Sequence, residues 1–252
     1  MKRLLVFDLD GTLAASKQPL DPAVGEWLGK LLSHCRVAVM SGGAWPQFEK
    51  QLLTNLPKDA PLHRLSLLPT SGTRFMQYED GTWTQLYAEN FTDDEKHTII
   101  AALTEVFDKS KYKPRKHWGE IIEDRGSQIT LSALGQEAPL AAKAKWDPDF
   151  AKRKKMQAKL AKKLPDFAIG MGGATSLDVT RPGVDKAYGI EKLHEVLQID
   201  IADMLFVGDA LFAGGNDFPA RRSGVDCIQI AGPAETVKVI ETVIVCTGPD
   251  AT

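Results

Sequence analysis

The opening stretch, Met1-Lys2-Arg3-Leu4-Leu5-Val6-Phe7-Asp8-Leu9-Asp10-Gly11-Thr12-Leu13-Ala14, constrains the fold more than any other. Leu4 to Phe7 is a short, continuous apolar run, the pattern of a strand buried on both faces, and it ends in two carboxylates and a glycine. Acids buried within a sheet would be costly, so they are expected at its end. Asp8 and Asp10 are two apart. In extended backbone both side chains point to one side, toward the crevice at the carboxyl ends of parallel strands. Carboxylates so close repel one another unless a cation or a shared proton intervenes.

Later segments repeat the theme. Asp21 to Ser33 reads as a helix with Val24, Trp27, Leu28, Leu31 and Leu32 on one stripe, and Asp21-Pro22 suits its cap and first turn. Arg36 to Met40 is a second buried strand, followed by Ser41-Gly42-Gly43 and a helix expected from Ala44 to Leu56. A hydroxyl and two glycines between strand and helix place backbone N–H groups and a side-chain donor where an anion can be held. Arg64 to Leu68 is a third candidate strand. Phe75 to Tyr78 and Thr82 to Tyr87 form a hairpin around Asp80-Gly81.

From there to about residue 182 the strand–helix alternation is interrupted. The pattern predicts a helix from Thr92 to Ser110, strands at Glu120 to Glu123 and Ser127 to Ala133, a charged helix from Asp147 to Leu164, and strands at Phe167 to Met171 and Ser176 to Thr180. Gln128 to Ser132 alternates polar and apolar, the mark of an antiparallel sheet with one face on a core. The alternation then returns. A helix spans Val184 to Leu197, a buried strand Met204 to Val207 ends in Gly208-Asp209, a strand runs from Cys227 to Ile230, and a last helix from Ala234 to Val243. The expected architecture is α/β, a doubly wound parallel-sheet (Rossmann-like) core with an inserted α+β cap. Its parts are core at 1–86, cap at 87–182 and core again at 183–252.

Lys186 falls in a first helical turn, where the dipole disfavours a cation, so it asks for an anionic partner. Asp209, followed by Asn216 and Asp217, adds oxygen donors of the kind a hard divalent cation requires. In a doubly wound sheet Asp8, Asp10, Ser41, Lys186 and Asp209 with Asn216 and Asp217 share one rim. The chemistry this suggests is phosphoryl transfer through an aspartyl phosphate, with magnesium bridging nucleophile and phosphate and with lysine and serine positioning the other phosphoryl oxygens. Position alone does not say which aspartate does what.

Composition excludes other classes. Charged residues are 25% and the net charge is -2, against the strongly positive field of a nucleic-acid binder. The basic excess from Lys143 to Lys163 alternates with Ala, Met and Leu at helical spacing and reads as a solvated helix face. Cys35, Cys227 and Cys246 lack ligand spacing, which fits a reducing cytosol. No stretch approaches about 18 consecutive apolar residues, and the chain opens directly into a strand, so a soluble cytoplasmic protein with no membrane partner is expected.

The string Phe7-Asp8-Leu9-Asp10-Gly11-Thr12-Leu13 resembles the signature of the haloacid dehalogenase superfamily of phosphotransferases. From end to end the chain is similar to the α-phosphomannomutases, through Glu123-Asp124-Arg125-Gly126, the segment around Leu134-Gly135, Ser176-Leu177-Asp178-Val179, Gly183-Val184-Asp185-Lys186, and Gly208-Asp209 with Gly214-Gly215-Asn216-Asp217. The resemblance implies Asp8 as nucleophile, Asp10 as general acid and base, and Asp209 as a metal ligand. Mg2+ is the expected cofactor, with Asp8, Asp10, Asp209, Asn216 and Asp217 as candidate ligands. It also implies Arg125, Ser176 and Asp178 as contacts to a hexose phosphate, phosphate contacts at Ser41 and Gly42, and a homodimer through the cap.

Lys17, Gln136 and Lys143 are further candidate substrate contacts, standing where the resembling family has arginines. Lysine keeps the charge but loses the planar fork, and glutamine loses the charge. Ala210-Leu211-Phe212-Ala213 likewise lacks the family's polar Lys-Thr. A weaker grip on the distal phosphate harms a mutase more than a hydrolase. The first expectation is therefore a magnesium-dependent phosphatase acting on a sugar phosphate, the alternative a phosphomannomutase or phosphoglucomutase. A non-catalytic binding protein of the same fold is the third.

Overall fold

A computed structural model describes residues 2–248. It divides into two compact units, Met1–Ala88 with Asp185–Thr252, and Glu89–Val184. The first holds β1 (Leu4–Asp8), α1 (Pro22–His34), β2 (Arg36–Met40), α2 (Trp45–Gln51), β3 (Leu65–Leu68), β4 (Arg74–Glu79) and β5 (Thr82–Ala88). The second holds α3 (Asp93–Asp108), β6 (Ile122–Asp124), β7 (Ile129–Ser132), α4 (Leu140–Trp146), α5 (Ala151–Lys163), β8 (Ala168–Gly172) and β9 (Ser176–Thr180). The first then resumes with α6 (Lys186–Leu197), β10 (Met204–Gly208), β11 (Asp226–Gln229) and α7 (Pro233–Thr247).

The first unit is built on a seven-stranded sheet in the order β11-β10-β1-β2-β3-β4-β5. Its first five members are parallel neighbours, so the carboxyl ends of β1, β2, β3 and β10 lie along one rim. Strand order reverses beside β1, the switch point where such sheets open a crevice. Alternate residues serve opposite faces: Leu5, Phe7, Val37 and Val39 pack with α1 and α7, while Leu4, Val6, Ala38 and Met40 pack with α6.

β4 pairs antiparallel with β3, and β5 pairs with β4 as far as Ala88, so the hairpin extends the core sheet by two antiparallel strands. Asp80 and Gly81 both have positive φ, as a tight two-residue hairpin turn demands. α2 is shorter than expected. It stops at Gln51 and gives way to a single 3-10 turn at Leu53–Asn55.

In the second unit β6-β7-β9-β8 form an antiparallel sheet. Ile129, Leu131, Leu177 and Val179 face a core shared with α3 and α5. Thr92 and Glu95 cap α3 reciprocally. The charged helix begins only at Ala151, because Asp147 turns its carboxylate onto the N–H groups of Lys152 and Arg153. The preceding basic residues form the separate helix α4. Among the described residues no helix is long and apolar enough to cross a membrane.

Candidate active site

Strand parity decides which way Asp8 faces. Leu4 and Val6 lie on the α6 side of the sheet, and Asp8, the last residue of β1, follows them there. Lys186, the first residue of α6, reaches back from the helix start. Its Nζ donates to Asp8 Oδ1 at 2.5 Å and to Met40 O at 2.6 Å, and lies 3.5 Å from Asp217 Oδ1. Lys186, Asp8 and Asp217 are all buried. Asp185 satisfies the start of α6 instead, accepting from the backbone N–H groups of Ala187 and Tyr188.

Asp209 follows β10 directly, and its N–H donates to Thr12 Oγ1 at 3.1 Å. Thr12 is in turn tied to the last helix, its carbonyl accepting from Thr236 Oγ1 at 2.7 Å. Asp217 returns to the rim through a tight loop. A Cβ on Gly215 would strike Ala210 O at 2.1 Å, and one on Gly208 would meet Asp217 Oδ2 at 2.5 Å, so only glycine permits the close approach at either place. Asp217 Oδ2 then accepts from Ala210 N at 3.1 Å.

Asp8, Asp209 and Asp217 thus bring carboxylate oxygens within 4.8 Å of one another. A single ammonium cannot balance three carboxylates. Burial pushes the Asp8 carboxyl well above the usual range, with Asp217 and Asp10 adding to the effect against the pull of Lys186. Burial also raises Asp209, helped by Asp217. Clustered hard oxygen donors with surplus negative charge suit a small divalent cation, so the residues present fit a metal.

Asp10, one of the expected ligands, stands outside that cluster. β1 ends at Asp8 and the chain turns at once, with Leu13 N and Ala14 N both donating to Leu9 O, so the extended-strand argument fails for Asp10. Its carboxylate instead accepts from Lys17 N, Gln47 Nε2 and Gln51 Nε2. Asn216 is exposed, its amide donating to Asp217 Oδ1 at 3.4 Å. Ser41 follows Met40 on the same rim. Its Oγ accepts from Gly43 N at 3.0 Å across Gly42, which closes the loop around a buried hydroxyl.

The remaining candidates belong to the second unit. Ser176 and Asp178 share the polar face of β9, opposite Ser132 and Thr130 of β7. Ser132 and Ser176 hydroxyls are 2.8 Å apart, and Thr130 Oγ1 donates to Asp178 Oδ1 at 2.7 Å. Arg125 stands in the β6–β7 turn and donates to Glu123 at 2.6 Å. Lys143, on α4, donates to Gln136 O at 3.2 Å, which sets two of the arginine replacements side by side. Lys17 is partly buried in the loop after β1, with φ 55°. Sequence reasoning missed Thr12, Gln47 and Gln51. The signal available for the two glutamines was their four-residue spacing on one helix face.

A family model of eukaryotic phosphomannomutases matches residues 24–246 of this chain. Phosphomannomutase 1 of Mus musculus is 28% identical over 224 residues, covering 85% of this chain and 81% of its own length. Phosphomannomutase of Saccharomyces cerevisiae is 25% identical over 245 residues, covering 94% and 92%. Among solved structures, a haloacid dehalogenase-like hydrolase from Bacteroides thetaiotaomicron shares the fold with a TM-score of 0.61 at 16% identity, covering 97% of this chain and 100% of that one. An N-terminally truncated, IMP-bound IMP-nucleotidase of Plasmodium falciparum gives 0.67 at 18% identity, covering 96% and 68%. The sequence relatives favour the mutase over the hydrolase that the arginine replacements had put first. With an aspartate, a lysine and two further acids assembled on one rim, and a match over most of its length, the chain belongs to the eukaryotic phosphomannomutase family.

Proposed function

We propose that this enzyme moves a phosphoryl group between positions 1 and 6 of a hexose, using Asp8 as the nucleophile. The observation that carries the reading is the clasp of Lys186 on Asp8 beside Asp209 and Asp217, in a chain whose relatives are phosphomannomutases. One Asp8 oxygen attacks phosphorus, the bond from phosphorus to the sugar oxygen breaks, and Asp10 gives that oxygen a proton. In the second step the oxygen of the accepting hydroxyl attacks the same phosphorus while Asp10 takes its proton, and the bond from phosphorus to Asp8 breaks, releasing Asp8 as a carboxylate. Lys186, Ser41 and Gly42 hold the other phosphoryl oxygens. Mg2+, when bound by Asp8, Asp209 and Asp217, supplies positive charge that offsets the repulsion between carboxylate and phosphate. Arg125, Ser176 and Asp178 recognise the sugar, with Lys17, Gln136 and Lys143 as weaker contacts.

A second reading, hydrolysis, is favoured by the glutamine and lysines that replace arginines, since a looser distal phosphate lets water compete. Mannose 1-phosphate supplied with a catalytic amount of hexose 1,6-bisphosphate separates the two. Mannose 6-phosphate formed faster than free phosphate supports the mutase. Free phosphate alone, with or without bisphosphate, makes it a phosphatase. A cytoplasmic location and a homodimer through the cap belong to the same proposal, and light scattering on the purified protein tests the dimer.

The metal assignment has its own test. Gly11 has φ +89°, and a Cβ there would come within 2.5 Å of Asp209 Oδ2. Gly11→Ala should displace that carboxylate and raise the Mg2+ concentration needed for half-activation by roughly 10- to 100-fold, the usual effect of disturbing a residue that orients a ligand. An unchanged activation curve would remove Asp209 from the metal site.

A further inference from the structure

The carboxylate of Asp10 is gripped on both oxygens, and most of the grip comes from one helix. Gln47 and Gln51 lie one turn apart on α2. Gln47 Nε2 donates to Asp10 Oδ2 at 2.7 Å. Gln51 Nε2 donates to Asp10 Oδ1 at 3.3 Å and to Gln18 O at 2.7 Å, and Lys17 N donates to Asp10 Oδ1 at 2.6 Å. A carboxylate only accepts hydrogen bonds, so both amides must turn their nitrogens toward it. For Gln51 this leaves Oε1 buried with no hydrogen-bond partner among the described residues. A stranded buried carbonyl is unfavourable, and turning the amide over would set its oxygen against the Asp10 charge. Gly43 completes the seat, because a Cβ there would come within 2.2 Å of Gln47 Oε1. Thus the loop that follows Ser41 and the helix that follows the loop both shape the grip on Asp10.

We propose that Gln47 and Gln51 are positioning residues, an amide clamp that fixes the Asp10 carboxyl for proton transfer to and from the sugar oxygen. The inference rests on the acid–base assignment of Asp10 made above. A freely rotating carboxyl would spend little time aimed at the leaving oxygen, and small misplacements of a catalytic group are costly to rate. The clamp leaves nucleophilic attack by Asp8 untouched, because neither glutamine bonds to Asp8, Lys186, Asp209 or Asp217 among the described contacts.

The test compares two phosphoryl donors in the full-length, Mg2+-loaded protein. A hexose 1,6-bisphosphate releases a sugar alkoxide that needs a proton, whereas p-nitrophenyl phosphate releases a phenolate that does not. Gln47→Met should lower kcat/KM for the bisphosphate by roughly 10- to 100-fold and leave that for p-nitrophenyl phosphate within about twofold. Gln51→Met should show the same split. Gln47→Glu, which keeps the shape but removes the donor, should lose at least as much as Gln47→Met. Asp10→Asn is the reference and should show the largest split. Equal losses on both donors for Gln47→Met, or no loss on either, while Asp10→Asn splits them, would overturn the clamp alone. If Asp10→Asn itself shows no split, the acid–base assignment fails and the clamp falls with it.

Discussion

Asp8→Asn should abolish turnover, a fall on the order of 10^4-fold or more in kcat/KM, and yet make the metal-free protein more stable. Both effects come from the same geometry. Asp8 is buried beside Asp209 and Asp217 with one lysine to serve all three, and its carboxyl is raised well above the ordinary value of 3.8. A raised acid keeps its proton in the folded state where the unfolded chain has already released it. The folded state then binds more protons, so its stability falls as pH climbs from about 4 toward the folded-state value. Asparagine carries no such penalty. In EDTA at neutral pH the variant should therefore melt about 3 °C or more above the parent, and its melting temperature should vary less with pH. Adding Mg2+ should stabilise the parent more than the variant, since the cation binds the folded state alone. A variant that melts lower in EDTA would mean that Lys186 needs Asp8 more than the acids repel one another. Retained turnover would remove Asp8 as nucleophile.

That trade explains why the rim of the sheet was the most legible part of the sequence. Leu4 to Phe7, Arg36 to Met40 and Met204 to Val207 are apolar without period because both faces are covered, and acids or glycines that interrupt such runs have few structural uses. Asp8, Asp209 and Lys186 were therefore expected at element ends on one rim, and the structure places them there. What was not readable depended on contacts distant in sequence. The β4–β5 ribbon has a plain turn signal at Asp80-Gly81, but its attachment to β3 lies in a register that no local pattern states. α2 has apolar residues as far as Leu56, yet its helix stops at Gln51, whose side chain is committed to Asp10 and Gln18. Asp10 itself was misdirected because the strand was assumed to continue, when the turn from Leu9 begins one residue after Asp8. Each miss is a place where a tertiary partner overrode a local preference.

The second large effect lies in the inserted unit. Asp147→Ala should destabilise it by about 3–5 kcal/mol, whereas the double replacement Asp147→Leu with Arg153→Met should cost clearly less. Both side chains of this pair are almost fully buried, 0% and 1% exposed, with Arg153 Nε donating to Asp147 Oδ2 at 2.8 Å. Burial works against the Asp147 charge, but the bonds from Arg153 and the N–H groups of Lys152 and Arg153 prevail and hold its pKa below the ordinary value. Its stabilising contribution is thus complete above about pH 4 and is lost as pH falls through the lower folded-state value. Removing one partner strands the other charge without water, while removing both strands none. Hydrogen exchange of the β9 amides, Ser176–Thr180, would read the difference within this unit. A double variant no more stable than the single would show that the pair is worth more than apolar packing. The function should follow the fold here. Arg153 also donates to Gly172 O and Gly173 O, which anchors the turn into β9, and a Cβ on Gly172 would come within 2.1 Å of Asp178 Oδ2. If Ser176 and Asp178 recognise the sugar, Asp147→Ala should raise KM for a hexose phosphate while leaving Asp8 chemistry on p-nitrophenyl phosphate unchanged, because the described bonds of the ion pair all lie within the inserted unit.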